Sequence, residues 1–237
     1  MRMPNFLRNP ILLRAIAGFM VGLAAMLVFH PATARAAEKT VLAPAPLVDA
    51  QPTRKLDTAV FAGGCFWGVE GVFSHVKGVK LAVSGYTGGT TTTKVNYDAV
   101  GSGRTGHAEA VRVTYDPTQV SYGQLLRIFF SVIADPTQLN YQGPDHGTQY
   151  RSALFPLNPE QAKAASAYLA QLGKSGVWGA PIVTKVERFT KFHDAEDYHQ
   201  NFMAVNPDHA YIQRWDAPKL AAFKTLFPTL YVAAIAA

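Results

Sequence analysis

Across a single residue the chain changes its hydrophobic period, and no other feature constrains its fold as much. Residues 58–64, Thr-Ala-Val-Phe-Ala-Gly-Gly, form a short apolar run ended by glycines, as a buried strand does. From Phe66 the apolar residues Val69, Val72, Phe73 and Val76 recur at helical spacing. The pivot between the two is Cys65, the only cysteine among 237 residues. A buried strand that turns into an amphipathic helix calls for helices layered on a sheet, and Gly63 and Gly64 allow close backbone approach at the turn.

The rest of the chain continues the pattern. Residues 79–89 read as a second strand closed by a glycine turn, and 107–117 as a third, with Ala108, Ala110, Val111 and Val113 ahead of Asp116-Pro117. Ser121 is placed to cap a helix over 121–134, where Leu125, Leu126, Phe129, Val132 and Ile133 share a face. Residues 149–157 are strand-like, and 158–176 have an Asn cap, a first-turn Pro and a Gly near the end of a strong helix. A further strand is expected over 181–189, and a short helix over 195–207 stopped by Asn206-Pro207. Interleaved strands and helices without an internal repeat predict one α/β sandwich with helices on a mixed sheet.

The first 36 residues stand apart. Arg2, Arg8 and Arg14 precede an apolar run from Ala15 to Phe29, followed by Ala34-Arg35-Ala36, the three-part pattern of a cleavable export signal. Fifteen helical residues rise about 22 Å, short of the roughly 30 Å hydrocarbon core, so cleavage is favoured over a retained anchor. A periplasmic or otherwise exported location is expected, with no stable membrane insertion after cleavage. Without these residues the formal charge falls from +6 to +2, since they hold four arginines and no acids. The basicity is therefore mostly a targeting device, and no basic, aromatic-interleaved run argues for nucleic acid. Residues 37–56, rich in Ala and Pro, read as a flexible leader, 57–231 as the folded domain and 232–237 as a tail.

One cysteine excludes an internal disulfide. At a helix N-terminus the macrodipole and unpaired N–H groups favour a thiolate, which gives Cys65 the character of a nucleophile. Phe66 and Trp67 cannot both face one core, so Trp67 is expected to lean toward the thiol. Gly-Gly-Cys-Phe-Trp-Gly-Val-Glu-Gly-Val-Phe (63–73) resembles the signature of peptide methionine sulfoxide reductase A. Further blocks at 84–89, 95–117, 145–157 and 195–202 resemble the same family in the same order.

The resemblance implies an α/β (α+β) two-layer sandwich, a mixed sheet with a ferredoxin-like core covered by helices. It also implies reduction of the S epimer of methionine sulfoxide, free or in oxidised proteins. Cys65 matches the nucleophile, and Phe66 and Trp67 match the walls of the methyl-binding pocket. Glu109 matches the carboxylate that holds and protonates the sulfoxide oxygen, a role that needs burial to raise its pKa from about 4.3. Tyr97 and Tyr150 match two tyrosines aimed at the same oxygen, and Asp145 matches a polar, substrate-binding acid. Taken from the strand alone, Glu109 is as readily solvated as buried.

The family's C-terminal cysteines are missing here, so the resulting sulfenic acid must be met by an external thiol reductant, a thioredoxin-like protein or a small thiol. Ala134 and Pro144 stand where many relatives carry His and Asn. No bound cofactor or metal is expected: Glu196 and His199 are spaced as ligands, with His193 nearby, but lack a second such pair. Two other classes remain open: a cysteine hydrolase using His107 or His199 as base, and a thioether-binding module with an inert thiol.

Overall fold

Strand β1 (Asp57–Gly63) occupies the middle of a six-stranded sheet, because both of its faces are apolar. The computed structural model describes residues 40–52, 55–90 and 95–234, so the proposed export signal lies outside the described residues. The sheet order is β7-β6-β1-β3-β2-β8, formed with β2 (Val79–Thr87), β3 (Ala108–Tyr115), β6 (Ser152–Phe155), β7 (Lys185–Val186) and β8 (His193–Asp194). Its four central strands are antiparallel neighbours in the order β6-β1-β3-β2, the ferredoxin-like arrangement, and β7 pairs parallel to β6 to make the sheet mixed. Helix α1 (Phe66–Ser74) connects β1 to β2. Helix α2 (Tyr97–Gly101) lies between β2 and β3, and the chain between β3 and β6 includes α3 (Tyr122–Ile128).

Alternation along β1 divides the core. Ala59 and Phe61 point to the helical layer with Val111 and Val113 of β3, and there they meet Val69, Val72 and Phe73 of α1 and Leu125 and Leu126 of α3. Phe61 stacks on Phe73 at 5.0 Å and on Phe129 at 5.4 Å between ring centroids, contacts worth roughly 0.5–1.5 kcal/mol each beyond the area they bury. Val60 and Ala62 face the opposite side with Ala108, Ala110 and Phe155, against which Phe189 and Phe192 pack.

That second face explains a difference from expectation. Over 181–189 only Lys185–Val186 is strand, because the chain beyond it carries the aromatics that pack on the sheet. The expected helix over 195–207 is also divided, into a 3-10 turn (Asp197–His199) and α5 (Phe202–Val205). Asn201 between them is left-handed (φ 53°), and its N–H donates to Glu70 Oε1 at 3.1 Å and Oε2 at 3.0 Å. The caps predicted from sequence are in place: Ser121 and Gln124 form a reciprocal capping box, and the Asn158 side chain accepts from Gln161 N–H ahead of α4 (Pro159–Lys174). Beyond Ile128 the helix widens into a π-turn, Phe129–Ile133, and a second π-turn, Ile212–Asp216, leads into α6 (Ala217–Leu226).

The flexible leader expected over 37–56 needs correction for residues 40–50, which are docked. Val41 N–H donates to Ser131 C=O at 3.2 Å, Tyr168 O–H to Pro44 C=O at 2.8 Å and Arg127 Nε to Ala43 C=O at 2.9 Å, and Ala43 is fully buried. An extended segment that docks through its backbone needs no hydrophobic period, so its composition resembles that of a linker. Asp49 caps α3 from this segment, accepting from the Ser121 hydroxyl and from Gly123 N–H at 2.6 Å. Asp49→Ala is expected to lower stability by about 1–2 kcal/mol in urea unfolding, with the slope m unchanged.

Candidate active site

The turn from β1 into α1 carries Cys65. Gly64 has φ +88°, and a Cβ there would come within 2.6 Å of Gln142 Cβ, so both conformation and space require glycine. Cys65 is the N-cap of α1 and half-buried, and its own side chain provides no cap. The first free N–H of the helix, that of Phe66, is taken instead by Glu109 Oε2 at 3.0 Å.

Glu109 lies on β3 with its side chain on the same face as Val111 and Val113, and is 2 % exposed. Alternation thus resolves toward burial, the outcome a single strand could not decide. Burial, which dominates, and the nearby Asp145 and Asp216 carboxylates push its pKa up to about 8, against the opposing hydrogen bond from Phe66 N–H. At neutral pH this carboxyl holds its proton.

The thiol is affected in the same direction. Burial first, then the charges of Glu109, Asp216 and Asp145, raise the Cys65 pKa well above the ordinary range, although the Trp67 N–H opposes them. The expectation of a thiolate favoured by the helix N-terminus is therefore corrected: the geometry is as predicted, but desolvation and surrounding acids outweigh the dipole, and the resting group is a thiol.

The other predicted residues gather around this pair. Tyr97 opens α2, and its hydroxyl is pushed up to about 12 by burial and by Glu109, Cys65 and Asp145. Tyr150 ends a 3-10 turn (Thr148–Tyr150), and burial and then Glu109, Tyr97, Asp145 and Cys65 raise its pKa also. Both tyrosines are half-buried and stay protonated, so they are O–H donors rather than anions. Asp145, in the two-residue strand β5 (Asp145–His146) that pairs with β4 (Tyr141–Gln142), accepts a very short hydrogen bond from the Tyr211 hydroxyl.

Phe66 and Trp67 part company as expected. Phe66 is buried against Tyr97 (6.5 Å) and His199 (5.0 Å), while Trp67 is half-buried and lies flat on Phe202 at 3.7 Å, with Tyr211 edge-on at 5.9 Å. His199 Nδ1 accepts from the Trp67 indole N–H at 3.0 Å, which places the neutral ring's proton on Nε2, and burial lowers its pKa. The segment 195–200 thus fixes the aromatic wall: Glu196 Oε2 accepts from Tyr86 O–H at 2.9 Å and Oε1 from Tyr97 N–H at 3.0 Å, and Gln200 Oε1 accepts from Ser84 N–H at 3.0 Å.

With Nδ1 bound to the indole, His199 cannot present that nitrogen to the thiol as a base. His107 Nδ1 accepts from Gly89 N–H at 3.2 Å and its ring meets His193 edge-on, serving the glycine turn after β2. Glu196 and His199 are likewise occupied as positioning groups, and among the described residues no cluster of three or more His, Cys, Asp or Glu could hold a metal ion.

Three acids or phenols near the site carried no readable sequence signal: Tyr211, Asp216 and Glu70. Glu70 is 1 % exposed, pushed up to about 7 by burial, and bonded to Ser84 O–H as well as Asn201 N–H. It anchors the loop that brings Phe202 onto Trp67.

Residues 57–229 match the family model described as peptide methionine sulfoxide reductase. A peptide methionine sulfoxide reductase of Mesorhizobium japonicum is 58 % identical over 175 residues, covering 74 % of this chain and 89 % of its own. One from Synechocystis is 52 % identical over 185 residues, covering 76 % and 86 %. Among solved structures, the methionine sulfoxide reductase A of Corynebacterium diphtheriae superposes with a TM-score of 0.56 at 33 % identity, covering 71 % of this chain and 88 % of its own.

Proposed function

The chain belongs to the peptide methionine sulfoxide reductase family and is an oxidoreductase that reduces methionine sulfoxide, and we propose that it takes the S epimer with Cys65 as nucleophile. The observation that carries this reading is the buried Glu109 carboxyl, protonated at neutral pH and hydrogen-bonded to the backbone one residue beyond the only cysteine. Reducing a sulfoxide requires a sulfur nucleophile, a proton for the departing oxygen and an apolar seat for the S-methyl group. Cys65 supplies the first, Glu109 the second, and Phe66 and Trp67 the third. Tyr97 and Tyr150 donate O–H groups to the same oxygen, and Asp145, steadied by Tyr211, binds the polar part of the substrate.

In the step, the Cys65 S–H bond breaks and its sulfur bonds to the substrate sulfur as the sulfoxide oxygen takes a proton from Glu109, whose carboxylate receives the proton of the thiol. The oxygen ends on Cys65 as a sulfenic acid, and the thioether of methionine leaves: sulfur of the substrate is reduced by two electrons and that of Cys65 oxidised by two. With no second cysteine in the sequence, an external thiol must condense with the sulfenic acid, releasing water, and a second thiol must then release Cys65. A thioredoxin-like dithiol or a small thiol meets that requirement, and the substrate is free methionine sulfoxide or oxidised protein.

The Arg, apolar and Ala-Arg-Ala pattern of residues 1–36 supports export, with removal after Ala36. One intact-mass experiment tests the cycle and the processing together. Protein recovered from a Gram-negative host should begin at Ala37. Exposed to the S epimer without reductant, it should gain one oxygen on Cys65 and release about one methionine per chain, whereas the R epimer should leave it unchanged. Unmodified Cys65, or equal turnover of both epimers, would refute the assignment.

A further inference from the structure

We infer that Glu70 is a positioning residue for Trp67: by accepting the Asn201 N–H it clamps residues 199–203 along α1 and so fixes the aromatic wall that selects an S-methyl group. The inference rests on the reading of Phe66 and Trp67 as the seat of that group. Trp67, Glu70 and Gly71 stand at i, i+3 and i+4 on α1 and therefore share one face of the helix. On that face Trp67 lies flat on Phe202, Glu70 holds the Asn201 N–H through both carboxyl oxygens, and Gly71 meets Met203. A Cβ at Gly71 would come within 2.7 Å of Met203 Sδ and 3.3 Å of Met203 Cβ, so the missing side chain is what lets the segment approach.

Asn201 is what requires the clamp. Its left-handed backbone (φ 53°, ψ 25°) is strained for a residue other than glycine, and such strain persists only where the surroundings impose it. The residue before it, Gln200, bonds both backbone groups of Ser84, accepting from the N–H at 3.0 Å and donating to the C=O at 3.1 Å. The Ser84 hydroxyl in turn donates to Glu70 Oε2 at 3.0 Å, so a serine of β2 and a glutamate of α1 together hold two successive residues of the segment. The residues after it start α5, with the Ala204 and Val205 N–H groups both donating to the Asn201 C=O at 3.0 Å.

Trp67 is held by residues on both sides of that turn: His199 accepts its indole N–H, and Phe202 covers the face of its ring. Without an acceptor at position 70 the Asn201 N–H loses its partner, the backbone relaxes out of the left-handed region, and His199 and Phe202 shift on the indole together. A wall that gives way admits a larger alkyl group, so the loss is read as weaker selection between S-methyl and S-ethyl sulfoxides. Glutamine keeps an oxygen for the Asn201 N–H and offers an amide N–H to the Ser84 hydroxyl. Methionine is of similar size, but its thioether is only a weak acceptor.

The test compares Glu70→Met with Glu70→Gln in the full chain. Hydrogen exchange of the three indole N–H groups is followed by NMR, with the Trp67 resonance identified through Trp67→Phe. In parallel, kcat/KM is measured for the S epimers of methionine sulfoxide and ethionine sulfoxide. In Glu70→Met the Trp67 indole should exchange about ten-fold faster while Trp178 and Trp215 keep their rates, because the opening is local. The preference of this variant for the S-methyl substrate should fall about three-fold or more. Glu70→Gln should stay within about two-fold of wild type in both measurements. A folded Glu70→Met protein with wild-type exchange and preference would overturn the inference, as would a Glu70→Gln protein as impaired as Glu70→Met. If Glu70→Met does not fold, a wild-type preference in Phe202→Leu, which removes the ring that the clamp delivers, overturns it. Indole exchange does not depend on turnover, so a wild-type enzyme inactive on sulfoxides would refute the proposed function and leave the exchange rates to decide this point separately.

Discussion

Serine in place of Cys65 is expected to reduce methionine sulfoxide turnover to background, a loss of at least about 10⁴-fold. A serine hydroxyl is nearly the same size and stays at the N-cap, a position that favours serine, so folding should be retained. What disappears is the atom that can accept oxygen: an alcohol has no counterpart to a sulfenic acid. No other cysteine in the chain can substitute. The check is a steady-state assay with excess dithiol beside a thermal unfolding curve. Residual turnover above a few per cent of wild type, from a folded protein, would remove Cys65 from the mechanism.

Glu109→Gln is expected to lower activity by about 10²–10⁴-fold while making the protein more stable. Glutamine can still accept the Phe66 N–H through its amide oxygen, so the backbone link at the start of α1 survives. It cannot give a proton to the sulfoxide oxygen. The gain in stability follows from linkage. In the folded protein Glu109 releases its proton near pH 8, against 4.5 as the ordinary value, so between these values the folded state binds more protons than the unfolded state. Stability of the wild type therefore falls as pH rises through this window, by about 1.4 kcal/mol per unit at most from this group.

Glutamine does not titrate. The stabilising effect of Glu109→Gln should be absent near pH 4.5, grow toward pH 8 and then level off, reaching a few kcal/mol in this order-of-magnitude accounting. Glu70, raised to about 7, contributes a slope of the same sign in both proteins and cancels in the comparison. Urea unfolding of the two proteins at pH 5, 6.5 and 8 measures the effect. A constant difference across the three would mean that Glu109 is ionised in the folded site. The two effects expected of Glu109→Gln share a cause: the proton kept on this buried carboxyl, proposed to serve the chemistry, is held at the expense of stability.

Local physics made much of the frame readable. The strands at 57–63, 79–87 and 108–115 and the caps at Ser121 and Asn158 follow from short-range pattern, and the structure has them within a residue or two. Where reading failed, a distant contact overrode the local signal. The 195–207 segment has helical composition, yet Glu70, 131 residues away, captures Asn201 N–H and breaks it. Residues 40–50 resemble a linker, yet their backbone is bonded to α3, the first π-turn and α4. The second π-turn begins at Tyr211 and is set by an inserted hydrogen-bond register that no hydrophobic period announces.

By itself the sequence determined the strand-to-helix pivot at Cys65 and that its 237 residues offer this cysteine no partner for an internal disulfide. The first follows from periodicity over a dozen residues, the second from counting atoms capable of forming a disulfide. Tertiary structure alone decided the burial and the neighbours of the site's acids. Whether Glu109 faced water or core, and whether an acid stood beside Gly68, depended on packing between β3, α1 and the second π-turn. Desolvation and charge act through space, so residues 43 and 148 positions apart in the chain weigh together on groups that the sequence shows only as separate letters.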